Sequence, residues 1–151
     1  RPDWQIVLIG PVDEAERITI VGRLGQYANI HLFGPRPYNS LPGYLKGIDV
    51  CLIPYALNAY TQGVFPMKFF EYMATGKPIV STALPSLRDY EWLSPQARSY
   101  EEFVSEIEHA RHDDFTRQER LNEAEQHTWE TRVHQMLTII SKIAKKTGAE
   151  L

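Results

Sequence analysis

The stretch YTQGVFPMKFFEYMATGKPIVSTAL, residues 60–84, decides how this chain is organised. It predicts a loop, a helix, a tight turn and a buried strand. Pro66 suits the first helical position, where its missing N–H costs nothing. Gly76 predicts a left-handed residue after the last turn, and Pro78 prevents the helix from continuing. The apolar residues of the predicted helix recur at helical spacing: Phe65, Phe69 and Met73, widened by Phe70 and Ala74.

The same predicted helix carries a cation and a carboxylate on one side. Lys68 lies in the first turn, where the positive end of the helix dipole disfavours a cation. Glu71 follows three residues later, so both side chains point the same way, with Thr75 one turn further on. A cation beside the first N–H groups of a helix suits phosphate, and a deeper carboxylate suits ribose hydroxyls. The pattern indicates a nucleotide diphosphate site; the alternative is an intrahelical ion pair on a solvated face.

The composition of the 151 residues is that of one ordinary globular domain, with 43% hydrophobic and 23% charged residues. The net charge of −3 gives no reason to expect nucleic acid as a partner. Cys51 is the only cysteine and lies in an apolar run, so it predicts a buried small side chain and a reducing, cytoplasmic compartment. No apolar run approaches the ~20 residues of a membrane-spanning helix.

Strand and helix patterns alternate along the chain. Apolar runs predict strands at 4–10, 29–33, 49–54, 78–82 and, weakly, 97–100. Apolar residues at helical spacing predict helices at 13–24, 101–111 and 128–146, and a polar helix is predicted at 115–127. We expect an α/β fold, a Rossmann-like parallel sheet with helices on both faces, as one domain over residues 1–151. Ligands of such sheets bind outside the carboxyl ends of the strands, here at loops 34–40, 54–63 and 82–85.

Four details of packing also follow from the pattern. Ser40 and Ser86 are expected to cap short helical segments. The helix at 101–111 is expected to face inward with Phe103, Val104, Ile107 and Ala110. The last helix carries one long apolar stripe: Trp129, Val133, Met136, Leu137, Ile140, Ile143 and Ala144. We expect this stripe to be covered by its own sheet or by a second copy of the chain, so self-association is predicted.

The segment GVFPMKFFEYMATGKPIVST resembles the donor-binding motif of glycosyltransferases with the GT-B fold, in the manner of family 4 and of bacterial polysaccharide and teichuronic-acid type transferases. The segments NIHLFGPRPYNSLPGYLKGIDVCLIPY, SYEEFVSEI and HTWETRV are similar to flanking parts of that family in the same order. The resemblance covers about residues 4–140. It implies the C-terminal, donor-nucleotide-binding half of a longer enzyme, without the acceptor-binding half and the first strand of this half.

The resemblance also implies a role for each matching residue. Glu71 would bind the nucleotide ribose, and Lys68 would be the catalytic residue that faces the donor phosphates. A loop would offer backbone N–H groups to the diphosphate or the sugar: Thr61, Gln62, Gly63 and Val64. A second loop would lie beside the base: Gly34, Pro35 and Arg36. One position departs from the family pattern, because Gly63 stands where the first glutamate of its E-x7-E motif is expected.

The function implied by this resemblance is transfer of a sugar from a UDP-, GDP- or other nucleotide diphosphate donor to a glycan or lipid-linked acceptor, without a cofactor or a metal. No D-x-D, G-x-G-x-x-G or P-loop motif is present. His109 and His112 are expected on a solvated helix rather than at a metal. The isolated chain is expected to be inactive, and the full-length protein to act at the inner face of the membrane. The alternative, favoured by Gly63, is a non-catalytic nucleotide-sugar-binding or interaction module.

Overall fold

The computed structural model describes residues 1–13, 19 and 21–147. It divides into two compact units, Arg1–Gly47 and Ile48–Leu151, and each is described by itself. The prediction of one domain over the whole chain stays a prediction.

The first unit contains two parallel strands, β1 (Ile6–Ile9) and β2 (Ile30–Gly34). A 3-10 turn at Tyr38–Ser40 leads into the short helix α1 (Leu41–Lys46). Of the helix predicted at 13–24, residues 21–24 are helical, whereas 14–18 and 20 lie outside the described residues. The predicted cap by Ser40 is wrong, because its hydroxyl donates to the Pro37 carbonyl (2.7 Å) and caps no helical N–H.

The second unit is built on a parallel sheet with the order β3-β4-β5. Its elements in chain order are β3 (Cys51–Ile53), a 3-10 turn (Thr61–Gly63), α2 (Lys68–Met73), β4 (Ile79–Thr82), a 3-10 turn (Pro85–Tyr90), β5 (Gln96–Ala97), α3 (Tyr100–Ala110), α4 (Arg117–Gln126) and α5 (Trp129–Thr147). All strand pairs of the described structure are parallel and helices follow them. The α/β, Rossmann-like prediction is therefore confirmed.

Helix α2 packs its apolar side into the core of the second unit. Phe69 and Met73 are completely buried, as are Ile79 and Val80 of the neighbouring strand. The chain leaves the helix through Gly76, which adopts the predicted left-handed conformation (φ 70°) and is itself buried. These contacts fix α2 against β4, and the opposite side of the helix remains in solvent.

A buried arginine of α4 binds the turn that follows α2. Arg120 is only 1% exposed, and its guanidinium donates twice to the Gly76 carbonyl (3.2 and 3.1 Å). It also pairs with the Asp113 carboxylate at 2.9 Å and donates to the Thr116 hydroxyl at 2.6 Å. Sequence analysis did not predict this cluster, since α4 has the pattern of a polar, solvated helix. Arg120 satisfies a buried carbonyl of the turn and holds α4 beside it.

Cys51 is buried as predicted, 2% exposed, and burial raises the pKa of its thiol to about 12. Two other packing predictions are wrong. Val104 is 40% exposed, while Ile107 and Ala110 of the same helix are buried. Ser86 lies inside the turn Pro85–Tyr90 and does not cap it, because its hydroxyl donates to the Val64 carbonyl.

The apolar stripe of α5 faces solvent throughout the described residues. Its large side chains are between 46% and 74% exposed: Trp129, Val133, Met136, Leu137, Ile140 and Ile143. The expectation that its own sheet covers the stripe is therefore wrong. In the part of the chain that the structure describes, no helix is both long and apolar enough to cross a membrane.

Candidate functional site

The loops that follow β3 and β4 meet at the carboxyl edge of the second unit's sheet. The Ser86 hydroxyl, just after β4, donates a 2.7 Å hydrogen bond to the Val64 carbonyl, at the end of the loop after β3. In parallel α/β sheets this edge is where ligands bind. Loops 54–63 and 82–85, which the sequence predicted to flank a ligand, are thus brought together.

Lys68 and Glu71 lie on the solvent-exposed side of α2, the helix that follows the loop after β3. Both are exposed, whereas Phe69, between them in sequence, is buried. Their spacing of three residues puts them on one side of the helix. Helix α2 has only six residues, so its dipole is small, and the charges of the two side chains dominate the electrostatics of this face. A cation and a carboxylate of this kind suit a ligand that has both phosphate and hydroxyl groups.

The loop before α2 is held by a compact hydrogen-bond network around Thr61. The Thr61 hydroxyl donates to the Ala56 carbonyl (2.6 Å) and accepts from the Asn58 N–H (2.9 Å). In return the Asn58 side-chain oxygen accepts from the Thr61 N–H at 3.0 Å. Thr61 is 7% exposed, so its hydroxyl serves the loop and offers nothing to a ligand. Asn58 stabilises this loop, and its position three residues before Thr61 could have indicated the turn that the two residues form.

The other N–H groups of this loop are also engaged. Gln62 donates to the Asn58 carbonyl (3.1 Å), Gly63 to Tyr60 (3.3 Å) and Val64 to Thr61 (3.2 Å). The prediction that these N–H groups meet a diphosphate therefore needs the loop to open. Phe65 differs from them: its N–H donates no hydrogen bond within the described part of the chain. Sequence reasoning missed this donor, because the direction of a peptide group is not readable from residue types.

The side chain of Phe65 packs among other aromatic rings. The Phe65 ring stacks on Phe70 (centroids 5.2 Å apart, planes at 17°) and meets Tyr90 edge-on at 6.2 Å. His127 stacks on Phe70 at 4.0 Å, and its ring nitrogens face Glu123 (2.9 Å) and Arg132 (3.1 Å). Burial raises the pKa of the Tyr90 phenol, so it stays a neutral hydroxyl. These contacts fix the Phe65 side chain against the rings of Phe70 and Tyr90.

Gly63 is the position where the resemblance expects a glutamate. A Cβ built at this glycine has no heavy atom within 4 Å, so a side chain would reach open space. The turn does not need glycine for its conformation, because the three glycines with positive φ are Gly10, Gly34 and Gly76 among the described residues. No carboxylate is therefore offered to a ligand from position 63.

The predicted base-side loop belongs to the first unit. Gly34 ends β2 in the left-handed region (φ 64°). Arg36 donates to the Tyr44 hydroxyl (2.9 Å) and to the Pro35 carbonyl (3.2 Å), and its guanidinium lies 5.9 Å from the centre of the Phe33 ring. Within this unit the loop thus presents a braced arginine. Among the described residues, no three His, Cys, Asp or Glu side chains are placed to hold a metal.

Two solved structures share this architecture. Sucrose-phosphate synthase from Thermosynechococcus elongatus matches with a TM-score of 0.71 at 21% identity, over 94% of this chain and 39% of its own. Anabaena HepE, solved in complex with UDP, matches with a TM-score of 0.56 at 16% identity, over 98% of this chain and 42% of its own. At these identities the two structures show the fold alone, a parallel, Rossmann-like α/β architecture with helices between the strands.

Sequence comparison shows the family to which the chain belongs. The model of the family "Glycosyl transferases group 1" matches residues 1–113, and the chain belongs to this family. A Bacillus subtilis (strain 168) protein, TuaH, named as a teichuronic acid biosynthesis glycosyltransferase, is 38% identical over 86 residues, which are 57% of this chain. The matched part is 21% of the length of that relative.

Proposed function

We propose that this domain binds the nucleotide diphosphate sugar of a glycosyltransferase that extends a glycan or a lipid-linked acceptor. The observation that carries the proposal is the exposed Lys68–Glu71 face of α2, the helix that follows the loop joined to residue 86 at the carboxyl edge of the sheet. Glu71 accepts the ribose hydroxyls, and Lys68 lies against the diphosphate. The UDP complex of HepE, a protein of the same fold, supports a nucleotide as ligand.

In this proposal, Lys68 acts when the bond between sugar and diphosphate breaks. Negative charge then collects on the departing phosphate oxygens, and a fixed cation stabilises that charge more than it stabilises the intact donor. The domain supplies no protein nucleophile and no metal. The reaction takes place in the cytoplasm, at the inner face of the membrane where the acceptor is lipid-linked, and the buried lone thiol of Cys51 is compatible with that reducing compartment.

A titration of the chain with UDP, GDP and ADP tests the proposal. We expect at least one of them to shift the amide signals of residues 64–71 in an NMR spectrum. The corresponding nucleosides should give smaller shifts, because they lack the charge that Lys68 faces. Unchanged spectra with all three nucleotides at millimolar concentration would refute a preformed donor site.

The alternative, a module that binds a nucleotide sugar without turnover, is favoured by Gly63, which offers no carboxylate to the sugar. Turnover of a donor by the full-length protein separates the two. A transferase releases nucleoside diphosphate in proportion to acceptor, whereas a binding module releases none.

We also propose that the exposed stripe of α5 makes the isolated chain self-associate. A continuous row of exposed apolar side chains is rarely left open on a monomer. Sedimentation equilibrium should show the apparent mass rising with concentration for the 151-residue chain, and Ile140→Glu should abolish the rise.

Thr138→Glu is the matched control, because it introduces the same charge two residues away, about 200° around the helix. Both positions are exposed. A strict monomer at every concentration, or equal effects of the two substitutions, would contradict self-association through the stripe.

A further inference from the structure

We infer that α5 is a membrane-surface helix, whose apolar stripe lies between the headgroups and the acyl chains of an anionic lipid bilayer. The inference goes beyond the proposed function, because it needs no nucleotide at the Lys68–Glu71 face. The large side chains of the stripe are all between 46% and 74% exposed, so they offer lipid one continuous apolar row. A helix with such a row and a polar opposite face is the kind that lies in the plane of a membrane surface.

The charge of α5 indicates which kind of surface the stripe meets. Residues 129–147 contain four lysines or arginines and one acidic residue, Glu130, although the whole chain has a net charge of −3. Positive charge is therefore concentrated on the helix that also exposes the apolar row. A second copy of the chain would bring the same cations to the contact, whereas anionic headgroups bring the opposite charge. Charge complementarity thus favours an anionic bilayer.

Cations of α5 flank the stripe at the height where headgroups would lie. An α-helix turns by about 100° per residue, so Arg132 and Lys146 lie about 80° and 120° from Ile140 on the same flank. Both are exposed, and long basic side chains keep their charged ends in water while their stems cover apolar surface. Arg132 also contacts the His127 ring (3.1 Å), which makes Lys146 the cleaner residue to test. Trp129, 74% exposed, is of a residue type that membrane interfaces favour.

Membrane binding and self-association use the same apolar row, so one molecule cannot do both at once. A second copy covers the row in a solution without lipid, as proposed above. Anionic lipid supplies both an apolar layer and the opposite charge, so it should compete with the second copy. We therefore expect anionic vesicles to lower the fraction of self-associated chain.

The test is co-sedimentation of the 151-residue chain with vesicles of mixed phosphatidylglycerol and phosphatidylcholine, and with vesicles of phosphatidylcholine alone. We expect binding to the anionic vesicles, about tenfold or more weaker binding to the neutral ones, and an affinity that falls as salt is added. Tryptophan emission should shift to the blue on binding, and Trp129→Phe should remove most of that shift.

Two substitutions separate lipid from a second copy. Ile140→Ser removes apolar area from the row and should weaken vesicle binding about tenfold. Lys146→Gln removes one cation and should weaken it about fivefold, while self-association in sedimentation equilibrium stays unchanged. Val104→Ser and Arg88→Gln are the matched controls, because Val104 is 40% exposed on α3 and Arg88 is an exposed arginine outside α5. Both should bind vesicles as the wild type does.

Three results would each overturn the inference: no binding to the anionic vesicles, equal affinity for anionic and neutral vesicles, or equal affinities of Lys146→Gln and Arg88→Gln for the anionic ones. Self-association that persists unchanged with anionic vesicles present would also overturn it, since a second copy would then be the partner of the stripe. Nucleotide binding is measured by the separate titration above, so the proposed function stands or falls independently of these results.

Discussion

Replacing Arg120 by methionine is expected to lower the free energy of unfolding of the second unit by about 3–5 kcal/mol. Arg120 is 1% exposed and supplies every hydrogen bond that the Gly76 carbonyl receives from a side chain in the described structure. Methionine fills a similar volume but donates nothing. The buried carbonyl then loses its side-chain donor, and the Asp113 carboxylate, which is 31% exposed, loses its ion pair but keeps the hydrogen bond from the Thr116 hydroxyl.

Urea unfolding followed by far-UV circular dichroism measures this loss. Arg88→Met is the matched control, because Arg88 is an exposed arginine of the same unit and its replacement should change stability by less than about 0.5 kcal/mol. If Arg120→Met cost no more than Arg88→Met, Arg120 would not anchor the turn after α2.

The stability that the Arg120–Asp113 cluster contributes depends on pH. Burial raises the pKa of Asp113, but hydrogen bonds from Thr116 and Arg120 outweigh it and leave the pKa below its ordinary value of 3.8. A carboxyl with a lowered folded-state pKa adds stability above that ordinary value and loses it as the pH falls through the folded-state pKa. The difference between wild type and Arg120→Met should therefore be constant near neutrality and shrink below about pH 4.

The sequence predicted the sheet because its strands are short apolar runs that both faces of a parallel sheet bury. It also predicted the end of α2, because Gly76 is the residue type that a left-handed turn requires. Arg120 was missed for a physical reason: its partner carbonyl is 44 residues away in the chain. An arginine on a polar helix has no periodicity that distinguishes it from a solvated one.

The candidate site likewise has features that local spacing predicts and features that only contacts between distant segments determine. Lys68 and Glu71 are three residues apart, so helical geometry alone places them on one face. The loop N–H groups were predicted to be available, but their direction depends on turns that residues 58–64 form among themselves. Ser86 lies 22 residues from Val64, and only the fold brings them together. Local spacing is readable from a sequence, whereas the direction of a peptide group is set by contacts between distant segments.

Substitutions at Lys68 and Glu71 should weaken the nucleotide by different mechanisms. Glu71→Ala removes the proposed acceptor of the ribose hydroxyls and should cost about 1–3 kcal/mol, or about 5- to 150-fold in affinity. That loss should be the same for a nucleoside and for its diphosphate, because both contain the ribose. Lys68→Ala removes the charge that, in the proposed complex, only the phosphates contact. It should weaken the diphosphate alone and reduce the dependence of its affinity on salt.

Calorimetric titration of UDP, GDP or ADP, whichever binds, and of its nucleoside tests the central claim most directly. The proteins are wild type, Lys68→Ala, Glu71→Ala and the control Lys142→Ala, which removes an exposed lysine of α5. We predict that Glu71→Ala weakens both ligands, that Lys68→Ala weakens only the diphosphate and flattens its salt dependence, and that Lys142→Ala changes neither. Wild-type affinities in both the Lys68 and the Glu71 variants would contradict the account, since this face of α2 would then be a solvated surface with no ligand.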